Sequence, residues 1–501
     1  MRIISSLCLL SAALVPYGNC LSQPQDCCNK LYETLPSLVH FPSSPDYQDR
    51  HSTYYSLHQR ELFPACTVKP TSTEDVSQIL QLAETSQCRF AVASGGHMTW
   101  KGASNIDDGF VVDLRGLNKI EILPSEHTAK LGPGSTWQTV YKEMEPYNLT
   151  VAGARISGVG VGGFLAGGGF AFKSQAVGFG SNTVLNYEVV LANGTVVNAN
   201  KQSHPDFFWA LKVAGSNYGI ITRFDMRTYH SPAIWGAVNI YPFTDQVVTE
   251  AFSDYQAYSH DSSNTNISKA VVLAHQGRQK VLLTCISSDD GTPVDPVTNA
   301  EPLQHLEKTG STHDVVKDVI AAVVPGETRG AWVPFTTKAT TNIALDMFGL
   351  VDKVYGSLLD KEGVSVCVNS QAFQRNFIEA TRYSPVYNGL RQSSEDLTLN
   401  LIMATWTDPA HDDAMKRATD KLGKLAAKEA RKRGVWTDFV YLNYANKDQD
   451  VYQQSLTPED VTRMMGVRDA YNPKRSLETL WRGGYKLPAR QQSWFRASDE
   501  L

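Results

Sequence analysis

The sequence predicts an α+β chain built in more than one part, and three observations carry that prediction. Residues 63–226 alternate short β runs with helical periods and glycine turns. From about residue 230 to 435, hairpin-like β runs take over and a long amphipathic helix follows. A last segment from Phe439 returns to short elements. The 501 residues carry 46 Lys+Arg against 51 Asp+Glu, a net charge of −5. That mild balance, with no block of basic residues, excludes a nucleic-acid footprint. With 42% hydrophobic and 19% charged residues the chain can bury a large core. At roughly 100–200 residues per domain, its length corresponds to two to four units.

Each element has a local reason. Ser72 and Asp75 form a capping box for a helix whose apolar positions Val76, Ile79, Leu80 and Ala83 follow the helical period. A β run, 90–93, follows, then the loop Ser94-Gly95-Gly96-His97 and a strand over 110–114. Ser135 and Gln138 resemble a second capping box leading a helix through Trp137, Val140, Tyr141 and Met144. Asn193-Gly194 signals a hairpin between strands 184–191 and 195–198, and 220–226 is a further strand. Beyond residue 230, 271–274 and 281–286 read as a hairpin and 399–406 as a strand. The basic amphipathic stretch 414–432 reads as a core helix with one solvated face. Residues 439–444 read as a strand, and Thr457, Pro458 and Asp460 open a helix.

Met1 and Arg2 precede an apolar run, 3–15, that ends in small and turn residues up to Cys20. The run is shorter than the ~20 residues needed to span a bilayer, so 1–20 reads as a signal peptide, 21–60 as an N-terminal arm, and the mature protein as secreted with no membrane partner. Cys27, Cys28, Cys66 and Cys88 crowd the start of the mature chain, and we expect the first two to pair with the last two. Spacing leaves the connectivity open. No C-x-x-C or H-E-x-x-H motif occurs, so no metal site is expected. Sequons at Asn148, Asn193 and Asn266 agree with secretion.

The chemistry concentrates with glycine. Residues 158–169 read Gly-Val-Gly-Val-Gly-Gly-Phe-Leu-Ala-Gly-Gly-Gly, seven glycines in twelve positions. Glycine costs a helix or strand about 0.5–1 kcal/mol each relative to alanine, so something must compensate. A bound anionic group, above all a diphosphate held by bare backbone N–H groups, is one compensation; tight packing of turns against a sheet is the other. Gly158, Gly160 and Gly163 match G-x-G-x-x-G, but the glycines at 167–169 argue against the helix that a nicotinamide-binding unit places there. The phosphate loop of nucleotide triphosphatases and the G-x-S-x-G elbow of hydrolases are both absent.

In order along the chain come Ser-Gly-Gly-His (94–97), the glycine run, Asn-Tyr-Glu-Val-Val-Leu-Ala-Asn-Gly (186–194), Asp-Phe-Phe-Trp-Ala-Leu (206–211) and Gly-Ile-Ile-Thr-Arg-Phe (219–224). Tyr441-Leu442-Asn443-Tyr444, Tyr471-Asn472-Pro473 and Gly483-Gly484-Tyr485-Lys486-Leu487 complete the series. Almost the whole mature chain thus resembles the berberine-bridge-enzyme-like FAD oxidases of the PCMH-type (vanillyl-alcohol-oxidase) flavoprotein superfamily, in its fungal-type secreted branch. The resemblance implies a PCMH-type FAD-binding domain over 61–230 that is completed by 439–501. It also implies a separate α/β substrate domain over 231–438 built on an antiparallel sheet. His97 falls where the family attaches the flavin covalently. Many members add a second link through a cysteine where this chain has Ile156, so attachment through His97 alone is expected. Ser94, Gly95, Gly96, Ser157, Gly158, Val159, Gly160, Gly162, Gly163, Gly167, Ile221 and Asn443 are expected around the cofactor. Val159 aligns with a gatekeeper position whose small side chain goes with oxygen access.

The resemblance further implies hydride transfer from a small organic substrate to FAD, and on to O2 with release of H2O2, in a secondary-metabolite pathway. Relatives draw their base from the C-terminal strand. Tyr441 and Tyr444 are the candidates, placed on opposite faces by strand alternation, with Tyr441 favoured. A carbohydrate oxidase, a flavin-binding cyclase without net redox chemistry and a binding protein remain alternatives, and the sequence leaves the oligomeric state open.

Overall fold

The computed structural model describes residues 23–489 apart from 324–325 and 340–341, so the expected signal peptide lies outside the described residues. A four-stranded sheet runs in the order Val39–His40, Thr67–Val68, Phe110–Asp113, Phe90–Ala93, with its last three strands parallel. The helix Thr73–Thr85 covers it. Ser72 Oγ accepts the Asp75 N–H at 3.1 Å and Asp75 Oδ2 accepts the Ser72 N–H at 3.0 Å, the expected capping box. Val76, Ile79, Leu80 and Ala83 are buried, so the 3.6-residue period puts one apolar stripe onto the sheet.

The four crowded cysteines pair as Cys27–Cys88 and Cys28–Cys66. They pin the helix Gln23–Thr34 onto this layer. Closures spanning 61 and 38 residues restrict the unfolded chain enough to contribute about 3–5 kcal/mol each. Asn148, Asn193 and Asn266 are all exposed.

A second, antiparallel sheet has five strands in the order Ile120–Leu123, Thr128–Leu131, Ile220–Arg227, Val184–Val190, Val196–Asn200. Its hairpin turns at Asn193-Gly194, as the dipeptide predicts, with Gly194 at φ +83°. The third and largest sheet has eight strands, all antiparallel and all between residues 234 and 437. Their order is Gln304–Gly310, Ile234–Pro242, Gln279–Ser288, Ile267–Gln276, Ser365–Phe373, Leu397–Trp406, Arg329–Lys338, Trp436–Thr437. The helices Asp245–His260, Ile343–Gly349 and Asp412–Lys432 pack on one face. In the last of these Met415, Leu422, Ala426 and Ala430 form the buried stripe and the basic residues face water. The predicted α+β class is the observed one.

The chain after residue 438 returns to the first two sheets. Tyr441, Tyr452 and Tyr485 join the core that holds the five-stranded sheet, while Leu477, Leu480 and Trp481 pack against Phe90 and Phe110. The Phe90 amide donates to the Leu480 carbonyl at 2.8 Å.

Local expectations fail at three places. Residues 439–444 form no strand: the amides of Tyr444 and Ala445 both turn back to the Tyr441 carbonyl, at 3.0 and 3.1 Å, because side-chain anchors described below hold this stretch on the glycine run. The helix Trp137–Met144 is capped by Thr136, which accepts the Thr139 N–H, while Ser135 Oγ is spent on the Asn118 carbonyl. The glycine run does carry a helix, Val161–Ala166, entered at Gly160.

His275, on the 267–276 strand, is fully buried between the large sheet and the 343–349 helix, 4.7 Å from the Phe348 ring, and neither ring nitrogen has a hydrogen-bond partner. Burial lowers its pKa below the ordinary value. The folded state therefore holds it neutral, the unfolded chain takes up the proton first as pH falls, and the stability this neutrality supports is lost below about pH 6.5. His275→Leu should raise stability by about 1–3 kcal/mol, because an unsatisfied buried ring is removed. Urea unfolding of wild type and variant at about pH 7.5 and about pH 5 should show a larger gain at the lower pH.

Candidate active site

The two glycine loops of the sequence meet in space. A Cβ on Gly95 would land on the Gly160 amide, and a Cβ on Gly160 on the Gly95 amide and Ser94 Oγ, so the backbones lie directly against one another. No side chain larger than hydrogen fits between them. Arg50, 1% exposed, fixes the first loop from behind. Its Nη1 donates to the Ser94 carbonyl at 2.9 Å and lies 3.5 Å from the buried carboxylate of Asp113, and its guanidinium covers the Tyr54 ring at 4.2 Å. Ser94 Oγ donates to the Pro133 carbonyl at 2.5 Å, which ties the loop to the turn before the 137–144 helix.

Both loops wall one cavity. Ser94, Gly95, Gly96 and His97 line it on one side; Val159, Gly160, Gly162, Gly163 and Gly167 line it on another; Ile221 closes it from the five-stranded sheet. Among the described residues, the amide N–H groups of Gly95, Gly96 and His97 find no acceptor, and Arg155 is the only charged side chain in the wall. Gly163 has open space where a side chain would stand. Unspent backbone donors beside a bare wall suit a diphosphate, and the apolar remainder, including Leu114, Ile220, Phe224 and Trp481, suits flat rings. The cavity therefore fits FAD.

Ser157 and Gly158, expected at the cofactor, do not reach this wall. Their turn faces outward, with the Ser157 carbonyl accepting the Gln138 N–H at 3.3 Å and Gly158 exposed. The glycine density thus has two causes: Gly95 and Gly160 serve backbone contact, and Gly163 leaves room in the cavity.

His97 stacks on Tyr55, with ring centroids 4.0 Å apart and planes 12° from parallel. Burial lowers its pKa to about 4, so the imidazole is neutral. A neutral imidazole keeps the lone pair that a covalent bond requires.

Asn443 explains the turn that replaces the expected strand. Its carboxamide occupies the space where a Cβ on Gly167 would stand, and its Nδ2 donates to the Phe164 carbonyl at 2.9 Å and to Tyr441 Oη at 3.1 Å. Tyr441 Oη also accepts the Phe170 N–H at 2.6 Å, and its ring stacks on Phe179. Burial raises the Tyr441 pKa well above that of a free phenol, which disfavours its anion. The turn puts the Tyr441 and Tyr444 rings in edge contact, 4.8 Å apart at 81°, and not on opposite faces.

The two tyrosines differ in what they face. A second cavity of ≈ 860 Å³ lies under the free face of the eight-stranded sheet. It shares His97, Arg155, Ile156, Trp332 and Tyr444 with the first cavity, whereas Tyr441 lines the first and not the second. At this junction Arg155 Nη2 donates to Tyr444 Oη at 3.3 Å and also to Gln371 Oε1, and the Trp332 ring meets Tyr444 edge-on at 5.8 Å. The Arg155 guanidinium covers the Phe170 ring at 4.7 Å. Arg155, Trp332 and Gln371 carry no motif in the sequence; only the fold brings Arg155 and Trp332 to Tyr444 and Gln371 to Arg155.

Comparison with known proteins agrees with this geometry. An FAD binding domain family model matches residues 64–200. An FAD-dependent monooxygenase, tpcD, of Cochliobolus heterostrophus is 30% identical over 504 residues, covering 95% of this chain and 96% of that protein. The FAD-dependent monooxygenase FUP4 of Fusarium proliferatum is 28% identical, covering 87% of each. Among solved structures, 6-hydroxy-D-nicotine oxidase of Arthrobacter nicotinovorans superposes with a TM-score of 0.75 at 19% identity, covering 90% of this chain and 98% of that one. Berberine bridge enzyme of Eschscholzia californica gives 0.74 at 17%, covering 90% and 97%. Xylooligosaccharide oxidase of Myceliophthora thermophila gives 0.72 at 19%, covering 90% and 98%. With two glycine loops closed on one cavity, and likeness running along nearly the full chain, this protein belongs to the family of FAD-dependent oxidoreductases that includes tpcD, and it has the fold of berberine bridge enzyme.

Proposed function

We propose that the protein is a secreted FAD-dependent oxidase that takes hydride from a small organic substrate and passes it on to O2, giving H2O2, as an oxidation step in secondary-metabolite biosynthesis. One observation supports the reading above all: His97, Arg155 and Tyr444 stand where the glycine-walled cavity opens into the cavity under the large sheet. FAD, when bound in the first cavity, supplies the hydride acceptor. The loop amides of Gly95, Gly96 and His97 hold its diphosphate, His97 is its single covalent attachment, and Ile156 stands where a second would need a thiol.

Tyr444 is the proton-transfer group, in preference to Tyr441. Its oxygen accepts from Arg155, a donor only, so its own O–H hydrogen is directed elsewhere, and the adjoining cavity lies beside it. Arg155 holds that oxygen in place, and Tyr441 serves as an anchor for the turn. Secretion is supported by the apolar N-terminal run, the paired cysteines and the exposed sequons.

A monooxygenase is the second reading, favoured by the names of the two fungal relatives. A peroxide-coupled screen over phenols, alcohols and sugars, followed by turnover under isotopically heavy oxygen, separates the two. One peroxide per product and no label in the product is expected; label in the product with no peroxide would establish the monooxygenase.

Acid precipitation of the wild type should leave flavin on the polypeptide, and His97→Ala should release it, as read by mass spectrometry. Free FAD from the wild type would refute the covalent link. Tyr444→Phe should slow anaerobic bleaching of the flavin by substrate by about 10²-fold or more, with flavin content unchanged. A larger loss in Tyr441→Phe would return the role to Tyr441.

A further inference from the structure

A histidine ring is ordinarily aimed by a hydrogen bond from a neighbour to one of its nitrogens, which sets both orientation and tautomer. Among the described residues no other residue bonds the His97 imidazole. What lies against it is Tyr55, flat on one face of the ring, and both side chains line the second cavity. A stacked contact covers a face and leaves the ring edge, with its two nitrogens, clear. Tyr55 is itself fixed on both sides of His97. Its amide donates to the Gly96 carbonyl at 3.1 Å, and the hydroxyl of the fully buried Ser56 donates to the Thr99 carbonyl at 2.9 Å. The Leu57 amide donates to the Thr328 carbonyl at 3.1 Å, which ties the same stretch to the start of the 329–338 strand. There Arg329, 4% exposed, pairs with Glu61 and, at 2.5 Å, with Asp412. Residues 55–61 thus form a strap anchored at the histidine loop and at the large sheet, and Tyr55 is the side chain it presents to His97.

We propose that Tyr55 is the positioning residue for flavin attachment, holding the plane of the His97 imidazole so that a ring nitrogen faces the glycine-walled cavity while the link forms. The inference rests on reading His97 as the attachment point. Joining that nitrogen to a methyl carbon of the flavin forms one C–N bond and removes one hydrogen from the nitrogen and one from the methyl. The two electrons and two protons set free are taken up through the flavin by O2, giving H2O2. Such a step gains from orientation, because an imidazole free to turn about its two side-chain bonds presents a nitrogen to the bound ring only part of the time. Burial pushes the Tyr55 phenol up to about 12, so it stays neutral and adds no charge beside the imidazole. The flat face of Tyr55 therefore carries the role, and its hydroxyl does not.

Wild type, Tyr55→Phe and Tyr55→Met test the proposal as full-length proteins, produced with ample riboflavin and isolated at matched times. Acid precipitation divides the flavin of each into linked and released, and mass spectrometry of the digested protein places the link on His97. Tyr55→Phe keeps the flat ring and should link the same share of its flavin as the wild type. Tyr55→Met fills the volume without a flat ring, and its linked share should fall at least about threefold with total flavin per chain unchanged. The share counts only chains that hold flavin, so a lower yield of folded protein does not mimic the effect. Tyr55→Leu is the second variant, with the same expected fall. Wild-type linkage in both Tyr55→Met and Tyr55→Leu, or a share in Tyr55→Phe as low as theirs, would overturn the inference. Loss of all flavin from both variants would overturn it too, since Tyr55 would then serve binding and not attachment. These outcomes, with the wild type linked, leave the attachment at His97 standing. A wild type that releases all its flavin would remove the attachment and this inference with it.

Discussion

Everything at the junction depends on a contact with no side chains in it. Gly95 and Gly160 lie backbone against backbone, and that approach sets the distance between the histidine loop and the glycine helix. A methyl group on either would separate the loops by more than an ångström-scale adjustment could absorb, because what it meets is main chain on both sides. The buried Arg50–Asp113 pair holds one partner of this contact and the Pro133 carbonyl steadies it through Ser94. A buried ion pair is a poor source of net stability, so its value here is in placing the Ser94 carbonyl.

The fold was largely legible because its elements carry local signals. The capping box at Ser72, the period through Val76 and Ala83, the Asn193-Gly194 hairpin and the stripe on the 412–432 helix each appear in the structure near where the residues place them. Legibility fails where a side chain from a distant segment competes with local preference. Residues 439–444 have β-type composition, yet Asn443 and Tyr441 find partners on Phe164 and Phe170, some 270 residues earlier in the chain, and those bonds bend the segment into a turn. No windowed pattern contains that information.

The site divides in the same way. Glycine density marked the cavity wall, and the position of His97 in it followed from family likeness; thirteen of the fifteen expected residues, all but Ser157 and Gly158, line the first cavity. Arg155, Trp332 and Gln371 left no trace in the sequence, since a single arginine, tryptophan or glutamine is as much at home on any surface or core. Their meaning comes from convergence: the 329–338 strand and the loop before the glycine run deliver Trp332 and Arg155 to the same phenol, and the 365–373 strand delivers Gln371 to Arg155.

The pleat of the large sheet has an evolutionary corollary. Along each central strand, odd and even positions belong to different tasks: Val366 and Val368 hold the helices, while Cys367 and Asn369 face the cavity. Mutation can therefore rewrite the chemistry of the ceiling one position at a time without disturbing the hydrophobic layer above it. The two faces of one strand are thus separable: what the cavity meets can change while the packing that holds the sheet to its helices stays as it is.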